Sequence, residues 1–190
     1  MLCRRMNKFK LLIFFIILSA NVYADFFKIS KSGNILHSNS DKWSCVLDSR
    51  TNLIWEVKGT EKGLQSNNNT YTWFDGIHGI ENGKFSHNCF KGENCNSNKY
   101  IKDLNKTYLC GIYQWRLPTI DELKSLIAYR DVEPLIDVRF FPNTKAKTYW
   151  TSTNASEGKN IALDVPFFYG GTVGSDKSFD SHIRAVYNVD

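Results

Sequence analysis

Side chains able to do chemistry are few in this chain, and their spacing argues against most of what they could do. His87, Cys89 and Cys95 lie close together, with Cys45 and Cys110 far to either side. A structural zinc site draws on thiolates in paired Cys-x-x-Cys spacing, which is missing here, so these residues do not read as metal ligands. Ser181 and His182 are adjacent, which says nothing about a triad whose members meet only through the fold. Neither a nucleophile elbow, nor a zinc-protease helix, nor a phosphate loop occurs. Glu122 could serve as a general acid, but it stands three residues after Thr119 and just before an apolar stripe, which is the pattern of a helix cap. No catalytic residue, metal ligand or cofactor is expected.

The elements that position these residues begin after an export signal. Arg4, Arg5, Lys8 and Lys10 precede the apolar run Leu11 to Leu18, and Val22-Tyr23-Ala24 supplies a small-residue cleavage site, so residues 1–24 read as a secretion signal. The run is far shorter than the roughly 20 residues that span a bilayer, so no stable membrane span is expected after cleavage. The 24 basic residues of the chain include four before Asp25 and the 19 acidic ones none, leaving 20 and 19. A net charge of +1 creates no field that would steer a polyanion such as a nucleic acid to the whole molecule. Export places the chain in the periplasm, at the cell surface or outside. There the even set Cys45, Cys89, Cys95 and Cys110 implies disulfides. Three pairings are open. The favoured one joins Cys89 to Cys95, stapling an Asn- and Gly-rich loop, and Cys45 to Cys110, tying a hairpin to a helix end.

Residues 25–42 form a polar lead-in, and residues 43–190 read as one domain. Trp43, Cys45 and Leu47 alternate onto one strand face, as do Leu53, Trp55 and Val57, and the polar connector 48–52 makes a hairpin in which Asp48 and Asn52 hold the turn. Residues 58–98 read as a long loop interrupted by Tyr71-Thr72-Trp73-Phe74, of a length that is unusual unless functional or stapled. Tyr100, Ile101, Leu104 and Tyr108 form a helical stripe ended by Gly111. Thr119 and Glu122 predict a second helix with Ile120, Leu123 and Ile127 facing the core. Three strands follow, at 149–152, 161–168 and 181–187, the second placing Ile161, Leu163, Val165 and Phe167 on one face. Two helices between a hairpin and a terminal set of strands make an α+β domain.

The motifs Cys45-Val46-x-Asp48, Thr51-x-Leu53-x-Trp55-Glu56-Val57-Lys58, Tyr71-x-Trp73 and Leu109-Cys110-Gly111 are followed by Trp115-Arg116-Leu117-Pro118-Thr119, Glu122-Leu123, Phe141-Pro142-Asn143-Thr144, Tyr149-Trp150-Thr151-Ser152 and Arg184-x-Val186. In this order they resemble the C-terminal domain family of the Legionella collagen-like adhesin. The resemblance implies a C-type lectin-like fold: a mixed, mostly antiparallel sheet, two helices and long irregular loops. It also implies that Trp55, Trp73, Trp115, Leu117, Pro118 and Trp150 are framework and that Arg116 is a structural hydrogen-bond hub. No collagen-like repeats precede the domain. The motifs of a calcium-dependent sugar site are missing, and Phe141 stands where a ligand carboxylate would be needed.

By that resemblance the chain is expected to be a non-enzymatic, adhesin-like module that binds an extracellular glycan or protein. Candidate contacts are Arg139, Lys145, Lys147, Lys159, Tyr169 and Lys177, on the irregular segment and the loops around the last strands. Two alternatives stand beside it. One is a structural subunit of an envelope assembly, for which a homo-oligomer is the simplest form. The other is a catalyst analogous to the formylglycine-generating enzymes, which require a reactive cysteine pair.

Overall fold

The structure is a computed structural model that describes residues 26–86, 88–155 and 160–189. The expected signal, Met1–Ala24, lies outside them. Strands β1 (Phe26–Ile29), β2 (Cys45–Asp48) and β3 (Leu53–Glu56) join β7 (Val186–Asn188) in a sheet of order β1-β2-β3-β7. Strands β4 (Thr148–Asn154), β5 (Ile161–Pro166) and β6 (Val173–Asp176) form a second sheet in that order. Every ladder is antiparallel. With helices α1 (Ser97–Asn105) and α2 (Ile120–Lys124), the chain is an α+β domain. Among the described residues no helix is long and apolar enough to cross a membrane.

The β2–β3 hairpin closes as its turn residues dictate. Asp48 Oδ1 accepts the Arg50 amide at 3.0 Å, and Asn52 takes a left-handed φ of 52°. Register pairs Val46 with Trp55 and Leu47 with Ile54, which sends alternate side chains into two cores. Cys45 packs into one core with Trp73, Tyr100, Leu104, Trp115 and Trp150. Val46, Leu53, Trp55 and Val57 pack into the other with Leu123, Phe141 and Phe167. Trp43, expected on the face of Cys45 and Leu47, packs instead on the second core. It precedes the strand, and its indole N–H donates to the Phe140 carbonyl at 2.9 Å.

Three further expectations are corrected. The lead-in supplies the edge strand β1, paired with β2 from Phe26 opposite Asp48 to Ile29 opposite Cys45. The alternation of β5 does not divide core from solvent: Ala162 and Asp164 are as fully buried as Val165, while Ile161 and Leu163 are half-buried. The face of Ala162 and Asp164 is closed along the strand, and the opposite face, half-open at Ile161 and Leu163, closes only at Val165. The strand expected over 181–187 is regular only from Val186. Ser181 and His182 make single bridges to Tyr71 and Tyr149, and these join the loop region to the second sheet.

Both predicted helices form for the reasons their sequences give. Asn96 caps α1 by accepting the Lys99 amide at 2.8 Å, and Tyr100 and Leu104 are buried. Tyr108, placed by spacing on the same stripe, is exposed because the helix has already ended. In α2 the Thr119 hydroxyl accepts from the Glu122 amide and the Glu122 carboxylate from the Thr119 amide, completing the capping box.

Candidate functional site

The disulfides join Cys45 to Cys110 and Cys89 to Cys95. The second staples the loop between β3 and α1, which is further fixed by its own backbone. The Thr72 amide donates to the Cys95 carbonyl at 2.9 Å, and the Ser97 hydroxyl bridges the Phe74 amide and carbonyl at 2.9 and 2.8 Å. Gly79, at φ 105°, lies so close to Trp73 that a Cβ would stand 2.3 Å from its carbonyl oxygen. Gly83, at φ 59°, would place one 2.2 Å from the Cys95 nitrogen. Only glycine fits either position.

This packing shapes an open groove of about 620 Å³ between the 79–84 turn and the first half of α1. Its lining is amide-rich and cationic: Asn82, Asn94, Asn96 and Asn98 with Lys84, Lys99 and Lys102, against the single acid Glu81. Asn96 is committed twice, to the Lys99 amide and the Glu81 carbonyl. Lys99 shares Asp103 with Lys106. Burial opposes ionisation of Asp103, but these two ammonium groups hold its carboxyl below the usual range. Lys84 and Lys102 form no salt bridge among the described residues; Lys84 rests over the Phe85 ring at 4.7 Å. The arrangement offers positive charge and amide donors and acceptors to a solvent-exposed anionic ligand.

The residues expected from sequence to make contacts stand in different local settings. Arg139 is paired with Asp137 at 2.6 Å. The Lys145 amide donates to the Tyr149 hydroxyl, and Lys147 is exposed. Tyr169 is exposed in the β5–β6 connection, and Lys159 lies outside the described residues. Lys177 requires a correction: at 3% relative exposure, with its ammonium 4.3 Å over the Trp73 ring, it is a core cation rather than a surface contact. Burial pulls its pKa down, opposed by Asp75. The groove lysines were not singled out from sequence. The available signal was Lys99 and Lys102, three apart on one helix, beside an Asn-rich stapled loop.

The framework motifs hold polar networks. Arg116 bonds Glu122, Asn188 and the Leu117 carbonyl, so it is the hub expected. Trp73 and Trp150 donate their indole N–H groups to the carbonyls of Thr151 and Tyr71, both at 2.7 Å. A sealed cluster lies deeper. Glu56 accepts from Lys58 at 3.0 Å, from the Tyr100 hydroxyl and from the Ala185 amide, and Arg184 donates to the Glu56 carbonyl at 2.6 Å and to Thr144 at 2.7 Å. Burial pulls the pKa of Lys58 down, with Glu56 opposing and Arg184 adding to the shift. These groups have almost no solvent access, so they tie β3 to α1 and to the segment before β7 rather than meet a ligand.

All four cysteines among the described residues are in disulfides, and no group of three metal-ligating side chains occurs among those residues. No curated protein and no solved structure matches the chain. The family model of the Lcl C-terminal domain matches residues 44–187, which span both sheets and both helices apart from β1 and the last residue of β7. The chain therefore belongs to the Lcl C-terminal domain family.

Proposed function

We propose that this protein is an exported, non-enzymatic adhesin-like module that binds an acidic glycan in the groove between the 79–84 turn and α1. One observation carries the proposal: Lys84 and Lys102, unpaired among the described residues, face the same groove as four asparagine side chains. Ammonium groups attract sulfate or uronate, and carboxamides bond ring hydroxyls, so the pair of chemistries suits a polyhydroxylated anion. Membership of an adhesin-associated family and two disulfides, which suit an oxidising compartment, support the same reading. The test is isothermal titration of the mature domain with a sulfated or uronate oligosaccharide. Charge reversal by Lys84→Glu with Lys102→Glu is expected to weaken binding more than tenfold, and affinity should fall with added salt. Unchanged affinity in this variant, with loss in Lys145→Glu/Lys147→Glu, would move the site to the 145–147 segment.

A second reading, as a structural subunit of an envelope assembly, draws on a different surface. Tyr129, Val132, Phe168 and Tyr169 are all exposed, and Tyr129 and Tyr169 flank Gly170. Contiguous exposed apolar side chains often mark contacts between proteins. Light scattering of the mature domain is expected to show self-association that Tyr169→Ser with Phe168→Ser abolishes if this reading holds.

A further inference from the structure

Beside the cationic groove lies a smaller cavity of about 220 Å³, and the two share Phe74 and Asn98. Trp73, Ile101 and Leu117 give the smaller one an apolar lining, with Ser152, Arg116 and Asp75 among its polar groups. It is thus built where three family motifs converge: the Trp73 segment, the Trp115–Thr119 segment and the end of the Tyr149–Ser152 run. Its size falls below the roughly 300–1,000 Å³ of clefts that hold drug-sized ligands, and suits a single sugar substituent.

The charged groups around this cavity are already spent. Arg116 has five N–H donors, and all are used: Nε on Asn188, one terminal nitrogen on Leu117 and Glu122, the other on Glu122 and Asn188. Asp75 Oδ1 accepts the amides of Ile77 and His78, and its Oδ2 faces the His78 ring. The Ser97 hydroxyl is occupied by Phe74. Two polar groups retain capacity. The Ser152 hydroxyl donates to the Pro118 carbonyl and keeps an acceptor. The Asn98 carboxamide, at the junction with the larger groove, makes no hydrogen bond among the described residues. An anion would find no free donor with a full charge here. A neutral group with one methyl, one carbonyl and one N–H would find an apolar wall, a carboxamide donor and a hydroxyl acceptor supplied by two different elements.

We infer that this cavity is an acetamido subsite, which takes the N-acetyl group of a hexosamine whose neighbouring acidic residue lies in the lysine groove. The inference rests on the glycan-binding reading and deepens it, and the two can fail separately. The acetyl methyl packs among Trp73, Ile101 and Leu117. Its carbonyl accepts from Asn98 Nδ2, and its N–H donates to Ser152 Oγ.

The probes are a tetrasaccharide of alternating glucuronate and N-acetylglucosamine, its N-formyl counterpart of equal charge, and uncharged chitotetraose. Wild-type protein is expected to favour the N-acetyl over the N-formyl form about fourfold, the worth of one buried methyl. Filling the cavity with Ser152→Trp should abolish that preference, and Asn98→Leu should weaken the N-acetyl form about tenfold. Both variants must melt with the wild type to count. Chitotetraose is expected to shift the methyl resonances of Ile101 and Leu117, and to do so equally in the Lys84→Glu/Lys102→Glu variant, because it carries no charge. Equal affinity for N-acetyl and N-formyl forms, with no methyl shifts from chitotetraose, overturns the subsite while leaving the lysine groove standing. Methyl shifts from a leucine-containing peptide but not from chitotetraose also overturn it, in favour of a peptide side chain. Failure of the lysine variant to weaken the acidic glycans, with chitotetraose shifts intact, removes the groove and keeps the subsite.

Discussion

Arg116 sets its two terminal nitrogens against the two carboxylate oxygens of Glu122, at 2.8 and 2.6 Å, while the same carboxylate closes the capping box on Thr119. One side chain thus anchors a five-residue helix, too short to persist by itself, to the strand pairing of Arg116 with Val186. Arg116→Lys, which loses the two-pronged geometry, and Glu122→Ala are each expected to cost about 1–2 kcal/mol in urea unfolding. Burial works against the Glu122 charge, but the Arg116 and Thr119 bonds hold its pKa below the ordinary 4.5. The folded pKa is therefore the depressed one. Glu122 contributes its full stability above about pH 4.5 and loses it as pH falls through the folded value.

Among the described residues, Glu56 is the single carboxylate bonded within the sealed cluster that holds Lys58 and Arg184. Glu56→Gln keeps its shape but leaves two buried cations without their anion, at an expected cost of about 3–5 kcal/mol by denaturant unfolding. Glu56→Gln with Lys58→Met removes one of the stranded charges and should recover part of that loss. An additive double variant would contradict the network.

His182 carries the pH dependence on the acid side of neutrality. Its ring lies against Tyr149 with Nδ1 3.1 Å from the Asn69 carbonyl. Burial lowers its pKa to about 4; the Asn69 carbonyl opposes the shift, and Lys58, Lys145 and Lys147 add to it. Between about pH 4 and 6.5 the unfolded chain binds the proton that the folded one refuses, so stability is complete above this window and falls as pH drops through it. The loss is of order 2–3 kcal/mol. His182→Gln should flatten this part of the stability curve relative to wild type, read as melting temperature at pH 7 and pH 4.5. Parallel curves for the two proteins would dismiss His182 as the source.

The two disulfides should separate stability from binding. In the loop-entropy model, Cys45–Cys110, spanning 65 residues, is worth about 4 kcal/mol, and Cys89–Cys95, spanning 6, about 2. Replacing each pair with alanine should lower the melting temperature in that order. Glycan affinity should fall in the opposite order, because Cys95 lies between Asn94 and Asn96 of the groove wall while neither Cys45 nor Cys110 lines it. Equal affinity in the two variants would show that the staple does not shape the groove.

Local chemistry made much of the fold legible. The Asp48 and Asn52 turn, the stripe of Tyr100 and Leu104, and the Thr119–Glu122 box each act within a few residues, so their sequence patterns suffice. Alternation misled in β5, where the small Ala162 and the polar Asp164 take the closed face and the larger Ile161 and Leu163 the half-open one, because the elements packed around the strand, not the polarity along it, decide which face is covered. Phe26–Ile29 was too short and too close to polar neighbours to stand out, and it becomes a strand by pairing with β2. The candidate site was less legible still. Lys84 comes near Lys99 and Lys102 only because Gly79 and Gly83 fold the loop back on Trp73 and Cys95. Lys177 has the composition of a surface residue and is buried by a tryptophan far away in sequence.

The ring closed by Cys45 and Cys110 has a mechanical consequence. Every residue lining the lysine groove, from Phe74 to Lys102, lies between these two cysteines. Under tension applied to the ends of the domain, the load crosses from Cys45 to Cys110 through the sulfurs and bypasses the intervening polypeptide. About 200 Å of contour length is thereby shielded from stretching, at roughly 3.3 Å per residue. A domain pulled by its two ends can lose strands β1 and β7 while the segment that lines the groove remains slack, so the covalent ring keeps the groove out of the loaded path.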